Sequence, residues 1–146
     1  MRADQLAAGL GLKPHEEGGS FMMCNEDSDK DSGAILYYLG PGQFSQFHMM
    51  EQTEEHWCIH AGTDLEIWIA DPDTGAFEVR RLGYDDGARL SLKVPGKMIM
   101  GIRHADADAS DGTLVSCITV PRFTEERIYS VDEIRKSYPY LMSFYR

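Results

Sequence analysis

From Ala34 onward the chain carries short runs rich in Val, Ile, Tyr, Phe and Trp, each bounded by Gly, Pro or Asp. Such runs, with no helical period between them, predict β-strands near 34–39, 44–50, 54–61, 65–70, 76–82, 89–94, 98–104 and 113–120. Asp71–Gly75 and Tyr84–Gly87 supply turn chemistry between neighbours. Strands at this spacing predict a sandwich or barrel. Helical patterns are confined to the ends. Leu6, Ala7 and Leu10 share one face of a short helix over 3–10, and Ser130 with Glu133 forms a capping box that starts a second. Pro14 to Gly19 is a glycine-rich loop, and no internal repeat or low-complexity tract is present.

Several strands are apolar on both faces. Leu65, Ile67 and Ile69 alternate with Trp68 and Ala70, so one face lines an interior and the other is covered by a second layer or a second subunit. A homodimer sharing a sheet and a helix packed outside both satisfy that pattern.

Composition sets outer limits. The 146 residues are one domain's worth, with 42% hydrophobic and 26% charged residues. Lys and Arg total 14 against 24 Asp and Glu, a formal charge of −10 that argues against nucleic acid or an anionic membrane as partner. Part of the acidity lies in 25–31 and 106–112, which read as solvated loops. No secretory leader and no membrane span are read in the sequence. The three cysteines, Cys24, Cys58 and Cys117, form no paired motif and read as free thiols. A cytoplasmic location is expected.

Candidate chemistry concentrates between Gly42 and Gly62. Period-two alternation places Gln46, His48 and Met50 on one strand face. On the next strand Glu55, Trp57 and Ile59 share one face and His56, Cys58 and His60 the other. If the two strands form a hairpin, its register decides which set meets His48, because a one-residue slip exchanges them.

The spacing Gly42, His48, Met50, Glu55, Gly62 resembles the first cupin motif with Met50 in place of its second His, and Met100 stands where the His of the second motif would fall, after Pro95 and Gly96. The flanks Pro14-His15-Glu16-Glu17-Gly18-Gly19 and Phe47-His48 are similar to the cupin-5 branch, small single-domain cupins largely without assigned function, and the resemblance runs from about Leu10 to Val120. It implies one all-β domain over 1–146, a double-stranded β-helix (jelly-roll) barrel with short terminal helices, a homodimer, a ligand cavity in the barrel mouth, and Glu55 turned inward. It also implies that the loop of His15 and Glu17 crosses near the cavity and touches ligand. Met50, Met98 and Met100, with Gln46 and Trp57, complete the expected ligand-binding set, a flexible apolar wall. The family's Arg after the double glycine is missing from Ser20–Glu26.

Two surviving protein ligands are too few for a tight transition-metal site, and thioethers do not replace imidazoles for Zn, Fe or Mn. No cofactor is therefore expected; a divalent metal, if present, would be weakly held by His48 and Glu55. Asp106–Gly112 resembles the start of a calcium loop but lacks its terminal Glu. The leading expectation is a small polar organic ligand with which His48 and Glu55 exchange protons, as in an isomerase, epimerase or lyase; deoxysugar epimerases share the barrel. A non-catalytic binding protein and a weakly metal-dependent oxygenase are the alternatives.

Overall fold

Eight long apolar runs become eight of the strands, and their inward faces close on one another. The computed structural model describes residues 2–26, 28–122 and 125–146, so that Asp27, in one of the acidic loops, lies outside the described residues. Helix α1 (Ala3–Ala8) precedes β1 (Lys13–Pro14), β2 (Ser20–Met23), β3 (Gly33–Leu39), β4 (Phe44–Met49), β5 (Glu54–Gly62) and β6 (Leu65–Ala70). Then follow β7 (Phe77–Leu82), β8 (Ser91–Val94), β9 (Ile99–His104), β10 (Thr113–Val120), β11 (Arg127–Ile128), α2 (Val131–Ser137) and a 3-10 segment (Pro139–Phe144). The short strands β1, β2 and β11 were beyond the apolar pattern, being only two to four residues long.

One sheet has the order β1-β2-β3-β10-β5-β8 and the other β11-β4-β9-β6-β7, with antiparallel strand pairing throughout. From β3 to β6 the chain changes sheet at every step, the winding of a double-stranded β-helix. Tyr37, Trp57, Ile67, Leu92, Met100 and Val115 meet between the sheets. Burying such side chains is worth about 1.5–3 kcal/mol each, which is what holds the two layers face to face.

The postulated β4–β5 hairpin does not exist. β4 pairs with β9 and β11, while β5 pairs with β10 and β8. No register between His48 and β5 therefore has to be chosen. Trp57 is flanked by Cys117 on β10 and Leu92 on β8, both inward, and alternation then turns Glu55 and Ile59 inward and His56, Cys58 and His60 outward. Within β4 the alternation itself fails. A register shift between Ser45 and His48 leaves both side chains buried inward, and Gln46 and Phe47 both reach the outer layer.

The outer face of the β4-β9-β6 sheet is covered by the chain's own C-terminus. Phe47, Trp68, Ile99, Tyr129, Leu141 and Phe144 form a second cluster there. The Arg103 guanidinium lies 4.8 Å from the Trp68 ring centre and donates to the Phe144 carbonyl at 2.7 Å. Thus the apolar Trp68 and Ala70 face is explained by a helical layer, not by a subunit contact. The Ser130 hydroxyl accepts from Glu133 N at 3.1 Å and the Glu133 carboxylate from Ser130 N at 3.2 Å, the capping box that starts α2. Among the described residues no helix is long and apolar enough to cross a membrane.

Phe144 is only 2% exposed in the centre of this outer layer. Its replacement in Phe144→Ala is expected to lower unfolding stability by about 3–5 kcal/mol in urea titration, and an unchanged midpoint would show that the C-terminal layer is not structural.

Candidate functional site

The site begins with the loop between β1 and β2. Gly18 and Gly19 have φ of 118° and 72°, which L side chains rarely adopt. A Cβ on Gly18 would collide with the Phe44 carbonyl oxygen. The glycines thus let the loop lie flat on the barrel rim, where Tyr37 donates its hydroxyl hydrogen to the Gly18 carbonyl at 2.5 Å and Gln46 N donates to the Glu17 carbonyl at 2.7 Å. This pinning swings the Glu17 carboxyl inward until the residue is 7% exposed.

There it meets His48, which is 1% exposed. His48 Nδ1 lies 2.8 Å from the Gln46 carbonyl oxygen and 3.2 Å from Glu17 Oε2. A carbonyl can only accept, so Nδ1 carries the hydrogen and Nε2 of the neutral ring offers a lone pair. Nε2 faces Glu126 Oε1 at 3.9 Å. Both atoms are buried and without a hydrogen-bond partner, as is Ser45 Oγ. Buried polar groups are nearly always partnered, so orphans on facing residues mark a place built to receive something.

A pocket of about 640 Å³ reaches Glu126, though neither His48 nor Ser45 is among its lining residues. Its polar end is formed by His15, Glu17, Glu55 and Glu126, its apolar wall by Phe21, Met23, Ile35, Met50 and Trp57, and Glu16, Arg122 and Glu125 also line it. Burial pushes Glu17 up to about 7, opposed by a hydrogen bond with the Glu126 carboxyl and reinforced by the charge of Glu55. Burial also pushes Glu126 up to about 8, with Glu17 adding to the rise both as hydrogen-bond acceptor and as a negative charge. Both carboxyls are thus raised toward the neutral range. Glu55 is raised by burial, against the nearby His48 and the Trp57 indole, which donates to Glu55 Oε2 at 3.1 Å. Burial lowers His15. Its Nδ1 accepts from Glu17 N at 3.2 Å, which leaves the hydrogen of the neutral ring on Nε2.

Of the residues expected from sequence, His15, Glu17, Met50, Glu55 and Trp57 line this pocket. His48, Met98 and Met100 instead border, with Met50 and Glu55, a void of about 10 Å³, room for one water. Gln46 is turned away: its amide donates to the Tyr129 carbonyl at 2.6 Å and its oxygen accepts from the Tyr145 hydroxyl at 2.8 Å. The β4 bulge is the reason, since the extra residue reverses the face that simple alternation assigns. His56 is outside the barrel, 3.2 Å from Glu54, and the Cys117 thiol is pushed well up by burial, which suits an inert wall residue. Asp111, in the loop with calcium-like spacing, accepts from Ala3 N and Asp4 N at 3.0 and 3.1 Å and so caps α1. Glu126 is the site residue that sequence reasoning missed. It sits in a polar stretch outside every apolar run, and its charge alone does not distinguish it from its neighbour Glu125.

The metal position implied by the motif resemblance has His48, Glu55, Met50 and Met100 around it. Two thioethers and a carboxylate already bonded to an indole do not fit a Zn, Mn or Fe ion, which needs three or four N, O or thiolate donors. A separate trio, His15, Glu17 and Glu126, brings potential ligand atoms within 4.8 Å of one another.

Comparison with known proteins agrees with this architecture. A protein from Shewanella oneidensis shares 28% identity and superposes with a TM-score of 0.85 over 98% of this chain and 94% of that one. A hypothetical protein from Leishmania major gives 25% identity and 0.85 over 98% and 96%. A Klebsiella pneumoniae protein with a double-stranded β-helix domain shares the fold alone, at 12% identity and 0.59 over 82% and 90%. No curated protein matches the chain significantly. Residues 4–129 match the family model described as Cupin superfamily (DUF985), and with the flat glycine loop, the double-stranded β-helix and Glu55 facing inward, this chain belongs to that cupin family.

Proposed function

We propose that the barrel cavity binds a small polar organic molecule and moves a proton at one of its carbons, as an isomerase, epimerase or lyase does. The observation that carries this reading is the orphaned Nε2 of His48, an imidazole whose hydrogen is tied to the Gln46 carbonyl and whose lone pair faces Glu126. Oriented this way, His48 is a base. The acid is the carboxyl pair of Glu17 and Glu126, which retains a proton near neutrality. His48 takes a substrate C–H proton, the electron pair is held on an adjacent carbonyl, and Glu126 returns its proton to a second atom. Glu55, bonded to the Trp57 indole, faces the same region and favours a positive charge on His48. The acid role thus moves from Glu55, the sequence-based expectation, to Glu126.

In deuterated buffer containing a chelator, a panel of hydroxyketones and keto sugars is expected to include a compound whose C–H next to the carbonyl exchanges with solvent, read by proton NMR. His48→Ala should slow that exchange by about 10²–10⁴-fold. A compound that binds in the cavity without any exchange would make the protein a passive binder, and exchange abolished by chelator would make it metal-dependent.

The carboxyl pair has a second consequence. Groups whose folded pKa is raised stabilise the protein below their unfolded pKa, and that stability is lost as pH rises to the folded value. For Glu17 and Glu126 the window runs from about 4.5 to about 7 and 8. The Tm of the ligand-free protein is expected to fall across that window, and the fall should be smaller in the double variant Glu17→Gln/Glu126→Gln. Parallel pH–Tm curves for the two proteins would contradict the raised carboxyls.

A further inference from the structure

We propose that the ligand of this cavity is an organic cation, an amine-bearing molecule with an apolar body, whose ammonium group seats between His48 Nε2 and Glu126 Oε1. The inference rests on reading the cavity as a ligand site; an ammonium held there occupies the His48 Nε2 lone pair, so such a ligand binds as an occupant and not as the molecule from which His48 takes a proton.

Charge comes first. Among the described residues five glutamates, Glu16, Glu17, Glu55, Glu125 and Glu126, line the cavity against one arginine, Arg122. Arg122 Nη1 donates to the backbone carbonyls of Glu26 and Asp29 at 2.6 and 3.2 Å, so that charge is already engaged with the 25–32 loop. His15 is held toward its neutral form and the Cys117 thiol stays protonated. An anionic ligand would meet this lining at a large electrostatic cost, whereas a cation relieves the repulsion among its carboxylates.

Hydrogen bonding is the independent observation. The two orphan atoms belong to side chains 1% and 10% exposed, and they stand 3.9 Å apart. In the tautomer with Nδ1–H on the Gln46 carbonyl, His48 Nε2 offers a lone pair; Glu126 Oε1 accepts once its proton has left. An ammonium offers three N–H donors and no acceptor, and a nitrogen at about 2.8–3.0 Å from both atoms satisfies them together. An alcohol supplies a single donor and a carboxylate none. Arrival of the cation favours the ionised carboxyl pair, so binding releases a proton.

Shape argues for an organic cation over a bare metal ion. The apolar wall of Phe21, Met23, Ile35, Met50 and Trp57 would be left uncovered by an ion. Among the described residues the trio that could ligate a metal includes His15, whose Nδ1 already accepts a backbone hydrogen.

The test uses the full chain and three probes of matched shape, 2-phenylethylamine, 2-phenylethanol and 3-phenylpropionate, in titration calorimetry and saturation-transfer NMR near neutral pH. The amine should bind roughly tenfold or more tightly than the alcohol, with the carboxylate weakest. Its heat should differ between buffers of different ionisation enthalpy in the sense of proton release, and Glu126→Gln should abolish both the preference and the release. A Glu78→Gln variant, on the exposed strand β7 outside the cavity lining, controls for general loss of negative charge and should keep the preference. Equal affinity for amine and alcohol, tighter binding of the carboxylate, no amine binding up to about 10 mM, or binding of Zn²⁺ or Mn²⁺ that the amine does not displace would each overturn the inference. Deuterium exchange on a neutral carbonyl compound without any amine preference would sink this inference and leave the proton-transfer reading standing; amine binding without exchange would do the reverse.

Discussion

The contact between Glu17 and His48, 3.2 Å between a carboxylate oxygen and an imidazole nitrogen, joins the two halves of the molecule's logic. Glu17 arrives from an edge hairpin of one sheet and His48 from an inner strand of the other, so the contact exists only when the sheets are closed and the loop lies flat. The glycines at 18 and 19 permit that approach, and the bulge in β4 turns His48 rather than Phe47 toward it. With Nδ1 held by a carbonyl and a carboxylate, the ring has one orientation and one tautomer, and its reactive nitrogen is left facing Glu126.

The same arrangement carries an electrostatic burden. Glu17 and Glu55 are 7% and 4% exposed and share their surroundings with Glu126, with no lysine or arginine ion-paired to them among the described residues. Burial is the largest cause raising each of the three carboxyls, because an unpaired charge is costly away from water. Such a site is less stable than an apolar core would be and more useful, because groups that change protonation near neutrality can exchange protons with a guest. The stability is supplied elsewhere, by the inner cluster around Trp57 and Ile67 and by the outer aromatic layer around Phe144.

The chain keeps the scaffold of its family. Met50 and Met100 border a void about the size of a water beside His48 and Glu55. The cluster that could act, His15, Glu17, His48 and Glu126, is displaced toward the barrel mouth and draws two members from the β1–β2 loop. His15, Glu17 and Glu126 come together where that loop and the segment before β11 meet.

The apolar alternation by itself determined the eight long strands, the all-β class and the capped C-terminal helix, because burial has a period and a capping box is local in sequence. Gly18 and Gly19 were legible as a positive-φ turn for the same reason. What alternation could not contain was the pairing: β4 and β5 are consecutive yet lie in different sheets, so no count of residues between His48 and Glu55 reveals how they meet. Nor could it show the bulge that sends Gln46 to the Tyr129 carbonyl, or select Glu126 from a polar run. Those were decided by the closing of two sheets over one interior, since only there does a carboxyl from residue 126 come to face an imidazole from residue 48.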